Sequence, residues 1–403
     1  SLNCMYLTHL SLTDFRIFSR FDQDVPLNSL ILAGDNAQGK TSLLEAVYYL
    51  STLDSFQAST TNELINFFAL QGDLAVGRIV ADFHRLDGDH RLEIRLIHEP
   101  QSNGNFTTRK EVLLDGTQMK INAAIGQFNA VLFLPQMLQI LTGSPQRRRH
   151  YLDLTLSQVD TFYRDSLTDY NKALIQRNAL LKQLKERSGD PEQLAYWDEK
   201  IILAGAYLMF KRIQAIRDLS LLAGSIHQEL TRGKEILRLN YLPSYEPLEP
   251  PPGQMTMPLD SPVDRSGLTL PDLQDGYREQ IIARRSDDIS RGTTSLGPHR
   301  DELRFLSNAI DLGNFGSRGQ LRTTLLALKL AEVRWLKEKN GEWPVLLLDE
   351  VLAELDDTRR QDLLDRLADS EQALLTTTDL GLFSDEFQKT AGLWEIHQGE
   401  LVR

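Results

Sequence analysis

Cysteine is almost missing from this 403-residue chain; Cys4 is the only one. A disulfide framework and a cysteine-built zinc site are therefore excluded, and the composition suits a reducing cytoplasm. No apolar run reaches the roughly 18 residues that a membrane-spanning helix needs, which excludes a transmembrane protein. No basic-then-apolar leader opens the sequence. Met5 begins a strand-like run, so residues 1–4 are expected to stand ahead of the native start. A basic excess is missing too: Lys and Arg number 44 against 56 Asp and Glu, a net charge of −12. The overall field repels phosphate, so any contact with nucleic acid has to come from a local patch. The remaining balance, 41% hydrophobic and 25% charged, excludes global disorder, and the length allows two or three domains.

Both ends of the chain read as α/β. Strand-like runs stand at 7–16 and 29–33, the second leading straight into a glycine-rich turn, and a helix is predicted from Gly39 to about Leu53. Runs at 74–85 and 91–98 form a hairpin around Asp87-Gly88-Asp89, and 129–134 is a short strand closed by Pro135. The middle differs. Residues 153–187 hold neither Gly nor Pro. Leu152, Leu156, Val159, Tyr163, Leu167, Tyr170 and Leu174 recur in steps of three and four. One uninterrupted helix about 50 Å long is predicted, stopped by Ser188-Gly189-Asp190-Pro191. A second helical run extends from Glu192 to about Thr231, with Ile201, Leu208, Ala215 and Leu222 seven residues apart. Together they predict an antiparallel coiled-coil-like hairpin, a projecting arm; two ordinary bundle helices are the plainer alternative. Eight of the fifteen prolines fall in 243–271, expected to be an irregular loop. Helix is expected again at 273–285, and buried strands at 345–348 and 373–377.

Three motifs carry chemistry. Gly34-Asp35-Asn36-Ala37-Gln38-Gly39-Lys40-Thr41 matches GxxxxGK[ST] between a strand and a helix, the context a phosphate-binding loop requires. Its backbone N–H groups and the helix N-terminus would hold phosphate oxygens. Lys40 would reach the β- and γ-phosphates and the Thr41 hydroxyl would ligate Mg²⁺. The strand Val345-Leu346-Leu347-Leu348 delivers Asp349 and Glu350 to its C-terminal end, where ligands sit in open α/β sheets. Asp349 would hold Mg²⁺ through water, and Glu350 would orient and deprotonate the attacking water. Ser317-Arg318-Gly319-Gln320 opens a further amphipathic helix, a second place for phosphate capture.

Seven segments together resemble the RecF family of ABC/SMC-like ATPases: GDNAQGKTSLLEAVYYLS from Gly34, GPHRDEL (297–303), FGSRGQLRT (315–323), LLLDEVLAELD (346–356), LLTTTD (374–379), GSPQRRRHYLD (143–153) and DFR (14–16). They lie mostly in the two chain ends; the arm is similar only in position and helical character. The resemblance implies ATP and Mg²⁺ as ligands, with Ser42 completing the loop, Asn36 contacting the γ-phosphate and Arg16 reaching the nucleotide or DNA. It implies that Ser317, Arg318, Gly319 and Gln320 form a signature acting in trans on the other subunit's ATP. By the same likeness Gln136 would occupy the Q-loop, Asp356 the D-loop, and Thr377 or Thr378 the switch position where transporters carry His. Arg147, Arg148 and Arg149 start a helix, where cations oppose the macrodipole; they would be offset by a DNA phosphate or by acids of the ATPase core. For His299 and Arg300 a structural role is at least as well supported as a catalytic one.

The expected fold is α/β: an ABC-type P-loop ATPase head formed by both chain ends (1–145 and 293–403), with a mainly α-helical arm domain inserted (146–292). The resemblance implies an ATPase with DNA-stimulated, weak turnover that dimerises on ATP and clamps duplex DNA near single-strand gaps. RecO, RecR and the loading of RecA are its implied context, in the cytoplasm and away from membranes. The alternative is the ATPase subunit of a membrane transporter, disfavoured by the inserted arm and by Ala37-Gln38. A structural SMC-like tether ranks last, because the arm is short.

Overall fold

In the computed structural model, residues 5–102, 104–187, 189–248, 263–368 and 372–402 are described. Cys4, Ser188 and residues 249–262 of the proline-rich stretch lie outside them. The chain forms two units, residues 1–137 with 332–403 and residues 138–331.

The first unit is built around a helix, Lys40–Thr52, of which eleven of thirteen residues are buried. A helix apolar on every face must be covered on every face. Two six-stranded sheets do this. One is antiparallel, in the order Phe18–Asp24, Tyr6–Phe15, Ala75–Arg85, Gly88–Pro100, Phe106–Leu114, Thr117–Met119. The other runs Glu400–Leu401, Gly392–His397, Leu30–Ala33, Ala373–Thr377, Val345–Asp349, Ala130–Phe133, parallel except for its first, short edge strand. Leu43, Val47 and Leu50 of the helix share one core with Leu12, Ile79 and Ile94 of the first sheet and Leu30, Leu132 and Leu347 of the second. Val345–Asp349 is buried along its whole length, which explains its uninterrupted apolar run. Gln372 ties the N-terminal strand to this layer. Its side chain accepts from Leu7 N at 2.7 Å and donates to the carbonyls of Leu7 and Pro26 at 2.9 and 2.8 Å.

The second unit corrects the prediction of one uninterrupted helix over 153–187. Two helices stand there, Pro145–Ser157 and Thr161–Arg187. The break contains no Gly or Pro. Asp160 makes it: its Oδ1 accepts from Tyr163 N at 2.9 Å, an N-cap contact. Its Oδ2 accepts from Lys211 and the Tyr207 hydroxyl at 2.9 and 3.0 Å. The longer helix pairs with Ala195–Leu230, which also packs on helix Leu270–Ala283 and strand Leu237–Leu242. That strand pairs antiparallel with Glu302–Ser307, and Glu302–Ser307 with Ile310–Asp311. The predicted hairpin is thus one part of a packed α+β unit. Arg177, fully buried, joins its two helices to a third: its guanidinium donates to Asp198 at 2.7 Å and Asp288 at 2.8 Å. The segment carrying Ser317 belongs to this second unit, although its sequence block groups with the ATPase half. Among the described residues no helix is long and apolar enough to cross a membrane.

Candidate functional site

Four neighbouring parallel strands end at one edge of the second sheet, and each delivers a predicted residue there. Leu30–Ala33 runs into the 34–39 loop, Val345–Asp349 into Glu350, Ala373–Thr377 into Thr378, and Ala130–Phe133 into the short turn that carries the exposed Gln136. The carboxyl end of a parallel sheet is where such folds bind ligands.

The loop needs its glycines. Gly34 has φ +150°, and a Cβ there would lie 2.5 Å from the Ile396 carbonyl oxygen. Gly39 has φ +110°, and a Cβ would lie 2.8 Å from Ile17 and 2.9 Å from Phe18. Asp35, Asn36 and Ala37 are exposed, Ala37 in the left-handed region at φ 62°. Gln38 is clasped from the far end of the chain. Its side-chain oxygen accepts from Gln398 N at 2.6 Å, and its carbonyl from Gly399 N at 3.0 Å. Lys40, 5% exposed, donates to the carbonyls of Gly34 and Asp35. Ser42 follows on the helix, half-buried.

Thr41 and Asp349 meet: the hydroxyl donates to the carboxylate at 2.9 and 3.1 Å. A hydroxyl and a carboxylate side by side are hard oxygen donors that fit Mg²⁺. Among the described residues no cluster of three or more His, Cys, Asp or Glu could hold a metal by itself, so phosphate oxygens and water would complete the shell. Glu350 stands at φ 54°, a strained position for a residue with a side chain. Its Oε1 is buried with no hydrogen-bond partner, and Lys40 Nζ is 3.4 Å away.

Thr376, overlooked in the sequence, organises both acids. Its hydroxyl donates to Asp349 at 2.7 Å and accepts from Glu350 N at 2.9 Å. The parallel register that pairs Asp349 with Thr376 is not visible in a linear sequence. The neighbouring Thr377 is buried and closes its own turn, donating to the Asp379 carbonyl at 2.9 Å; Thr378 is exposed. Arg16 is engaged by a buried carboxylate: Nε and Nη2 each donate to Glu45 at 2.7 Å. Asp356 caps the helix Asp357–Ala368, accepting from Arg359 N at 3.0 Å. That backbone bond, then the Arg359 charge, holds its carboxyl below the usual range.

In the second unit Ser317 forms a capping box with Gln320: the hydroxyl accepts from Gln320 N at 3.2 Å, and Gln320 Oε1 accepts from Ser317 N at 3.0 Å. Ser317, Arg318 and Gly319 are exposed, and a Cβ at Gly319 would meet open space. The three arginines at 147–149 diverge. Arg147 is exposed. Arg148 forms a bidentate pair with Glu302 at 2.7 and 2.8 Å, an acid of its own unit. Arg149 donates to the Asp301 carbonyl at 2.8 Å. His299 is internal: Nε2 donates to the Thr294 carbonyl at 3.2 Å, so Nδ1 accepts from the Tyr170 hydroxyl at 2.6 Å. Burial pushes this imidazole down to about 4, leaving it neutral. Arg300 is exposed.

The family model described as RecF/RecN/SMC N terminal domain matches residues 6–401. The DNA replication and repair protein RecF of Chloroflexus aggregans is 39% identical over 406 residues, covering 98% of this chain and 99% of the relative. The chain belongs to the RecF family. RecF of Enterococcus faecalis is 34% identical over 99% of both chains. A solved structure of the recombination mediator protein RecF with ATP, of the RecFOR pathway, superposes with a TM-score of 0.82 at 29% identity, covering 100% of this chain and 98% of the other. An Smc head superposes at 0.50 with 14% identity, a likeness of fold alone. The RecF-family fold is therefore the expected one, an ABC-type ATPase head with a helical arm. A transporter subunit is not supported by these matches.

Proposed function

We propose that this RecF-family chain is an ATP-hydrolysing DNA replication and repair protein, in which ATP joins two copies head to tail over duplex DNA and hydrolysis releases them. The meeting of Thr41, Asp349, Thr376 and Glu350 beside Lys40 carries this proposal. The relatives' name as DNA replication and repair proteins supports the biological setting, and the ATP complex of a relative supports the nucleotide.

The loop N–H groups and Lys40 bind the phosphates, which replace the Gly34 and Asp35 carbonyls as partners of the ammonium. Thr41 and Asp349 hold Mg²⁺, which neutralises phosphate charge when bound; Gln136 stands at the same edge as a further oxygen donor. Glu350 accepts a proton from the attacking water as oxygen bonds to the γ-phosphorus. The bond from that phosphorus to the bridging oxygen breaks, ADP leaves, and the proton returns to the products. Asn36 and Arg16 lie on the nucleotide side, Arg16 exchanging part of its contact with Glu45. The exposed Ser317 hydroxyl and Gly319 N–H supply the cap on the partner copy's γ-phosphate. Asp356 lies along that joint, and Thr377 or Thr378 senses the γ-phosphate there. Arg147, the exposed cation of its trio, faces duplex DNA or a junction with single strand. RecO and RecR are the implied partners and RecA loading the implied outcome, in the cytoplasm.

Sedimentation velocity of the full chain with and without ATP, Mg²⁺ and duplex DNA tests this. A dimer that forms only with ATP and binds duplex is expected. A chain that stays monomeric with ATP and duplex together would overturn it.

A further inference from the structure

The second unit contains a cavity of about 360 Å³ that the ATP chemistry does not use. Its lining includes Arg149, Arg212, Asp153, Tyr170, His299 and Asn171. The volume is at the small end of ligand sites. Two guanidinium groups share it, and they are not equally neutralised. Arg212, 2% exposed, donates to Asp153 at 2.8 Å, to the Tyr163 hydroxyl at 3.0 Å and to the Pro298 carbonyl at 2.7 Å. Arg149 is half-buried and has no carboxylate at ion-pair distance among the described residues; its single hydrogen bond is to the Asp301 carbonyl. Its Nε and Nη2 carry no hydrogen bond among the described residues, and the side chain belongs to the cavity lining.

A partly desolvated cation next to another cation is unfavourable until an anion joins them. Burial and then the Arg212 charge hold the Arg149 guanidinium below its usual range, against the smaller opposing effects of Asp301, Glu302 and Asp153. Of the other polar groups lining the cavity, Asp153 is engaged by Arg212, and Gln146 and His150 stand at exposed positions. His299 is neutral and spends both ring nitrogens on Thr294 and Tyr170. Asp301, outside the lining, accepts from Tyr241 and from Ser244 N and lies 3.7 Å from Arg212. Asn171 is exposed at the mouth, an uncharged amide that tolerates an anion.

We propose that this cavity is a phosphate site, with the free N–H groups of Arg149 as its charged donor. A planar guanidinium fork matches two phosphate oxygens. The phosphate can be a unit of a nucleic-acid backbone or a group on a small phosphorylated molecule. The site does not depend on dimer formation or on the phosphate loop.

Inorganic phosphate is titrated into the full chain saturated with a non-hydrolysable ATP analogue, so that the loop is filled. A duplex oligonucleotide is titrated in parallel over a series of salt concentrations. Arg149→Gln and Asn171→Asp, checked for native circular dichroism, are compared with the wild type. Saturable phosphate binding is expected, weakened about tenfold or more by Arg149→Gln and also weakened by the rim charge of Asn171→Asp, which keeps every internal contact. If the source is DNA, the salt slope of duplex binding falls by about 0.9 in Arg149→Gln; if it is a small molecule, duplex binding stays unchanged. Phosphate binding that is absent in the wild type, or equal in all three proteins, would overturn the site.

Discussion

The two units handle charged side chains in opposite ways. In the second unit several buried charges neutralise one another, Arg164, whose Nε and Nη1 are buried without a hydrogen-bond partner, being an exception. Arg177 lies between Asp198 and Asp288, Arg285 also reaches Asp198 at 2.7 Å, and Arg148 is matched by Glu302. In the first unit, at the phosphate-loop edge, polar groups are held short of full satisfaction. Glu350 Oε1 has no hydrogen bond, and Lys40 rests on two carbonyls with a carboxylate 3.4 Å away. Pairing with opposite charge marks a group that holds the fold, even where one nitrogen, Arg177 Nη2, stays unbonded; a group held short of its partner by strained backbone and second-layer hydroxyls marks one kept for a ligand. The same test separates three adjacent arginines whose positions in the sequence are equivalent.

The largest expected effect is at Glu350. Glu350→Gln should lower ATP turnover by about 10²–10⁴ while leaving ATP binding and the unfolding midpoint near the wild type, read by phosphate release and urea melts. Equal turnover would move Glu350 to the structural side of the comparison. Arg177→Met is the mirror case. Leaving Asp288 without its ion pair, and Asp198 with Arg285 alone, should cost about 3–5 kcal/mol of stability in the helical unit, with ATP still bound by the first. A melt like the wild type's would mean that paired burial is a poor guide to structural roles.

Thr376→Val sharpens the contrast, since it removes a hydroxyl that touches both acids without touching a ligand. Turnover should drop about 10–100-fold, with KM for ATP changing less than kcat. The smallest effect is a pH dependence at His299. The unfolded imidazole titrates near 6.5 and the folded one near 4, lowered by burial. Between those values the unfolded chain binds more protons, so stability falls as pH falls. Relative to His299→Gln, the wild type should lose about 1 kcal/mol between pH 7 and 5.5, measured by urea melts at each pH.

Much of the site was legible because its parts are local. Gly34 to Thr41 and Val345 to Glu350 are contiguous, and the residues flanking them dictate strand and helix. What stayed hidden depends on distant pairs. Thr376 matters through its register with Asp349, and the Gln38 clasp comes from residues 360 positions away. Arg148 finds Glu302 across 154 positions. The helix break at 158–160 was hidden for another reason: an aspartate N-cap that also collects Lys211 and Tyr207 ends a helix without any Gly or Pro. The apolar steps of three and four run straight through it, since the chain resumes with its buried face nearly in phase.

A composite site between two copies can be separated from two self-sufficient sites by complementation. Lys40→Met lacks the phosphate-loop cation, and Ser317→Arg lacks the cap, so each alone should hydrolyse no ATP. In a mixture, the Ser317→Arg copy brings an intact loop and the Lys40→Met copy an intact Ser317, forming one working site per mixed dimer. Recovery of ATP hydrolysis on mixing, with duplex DNA present, is the predicted result. A Ser317→Arg protein that hydrolyses ATP at the wild-type rate by itself, or a mixture as inactive as its components, would contradict the account.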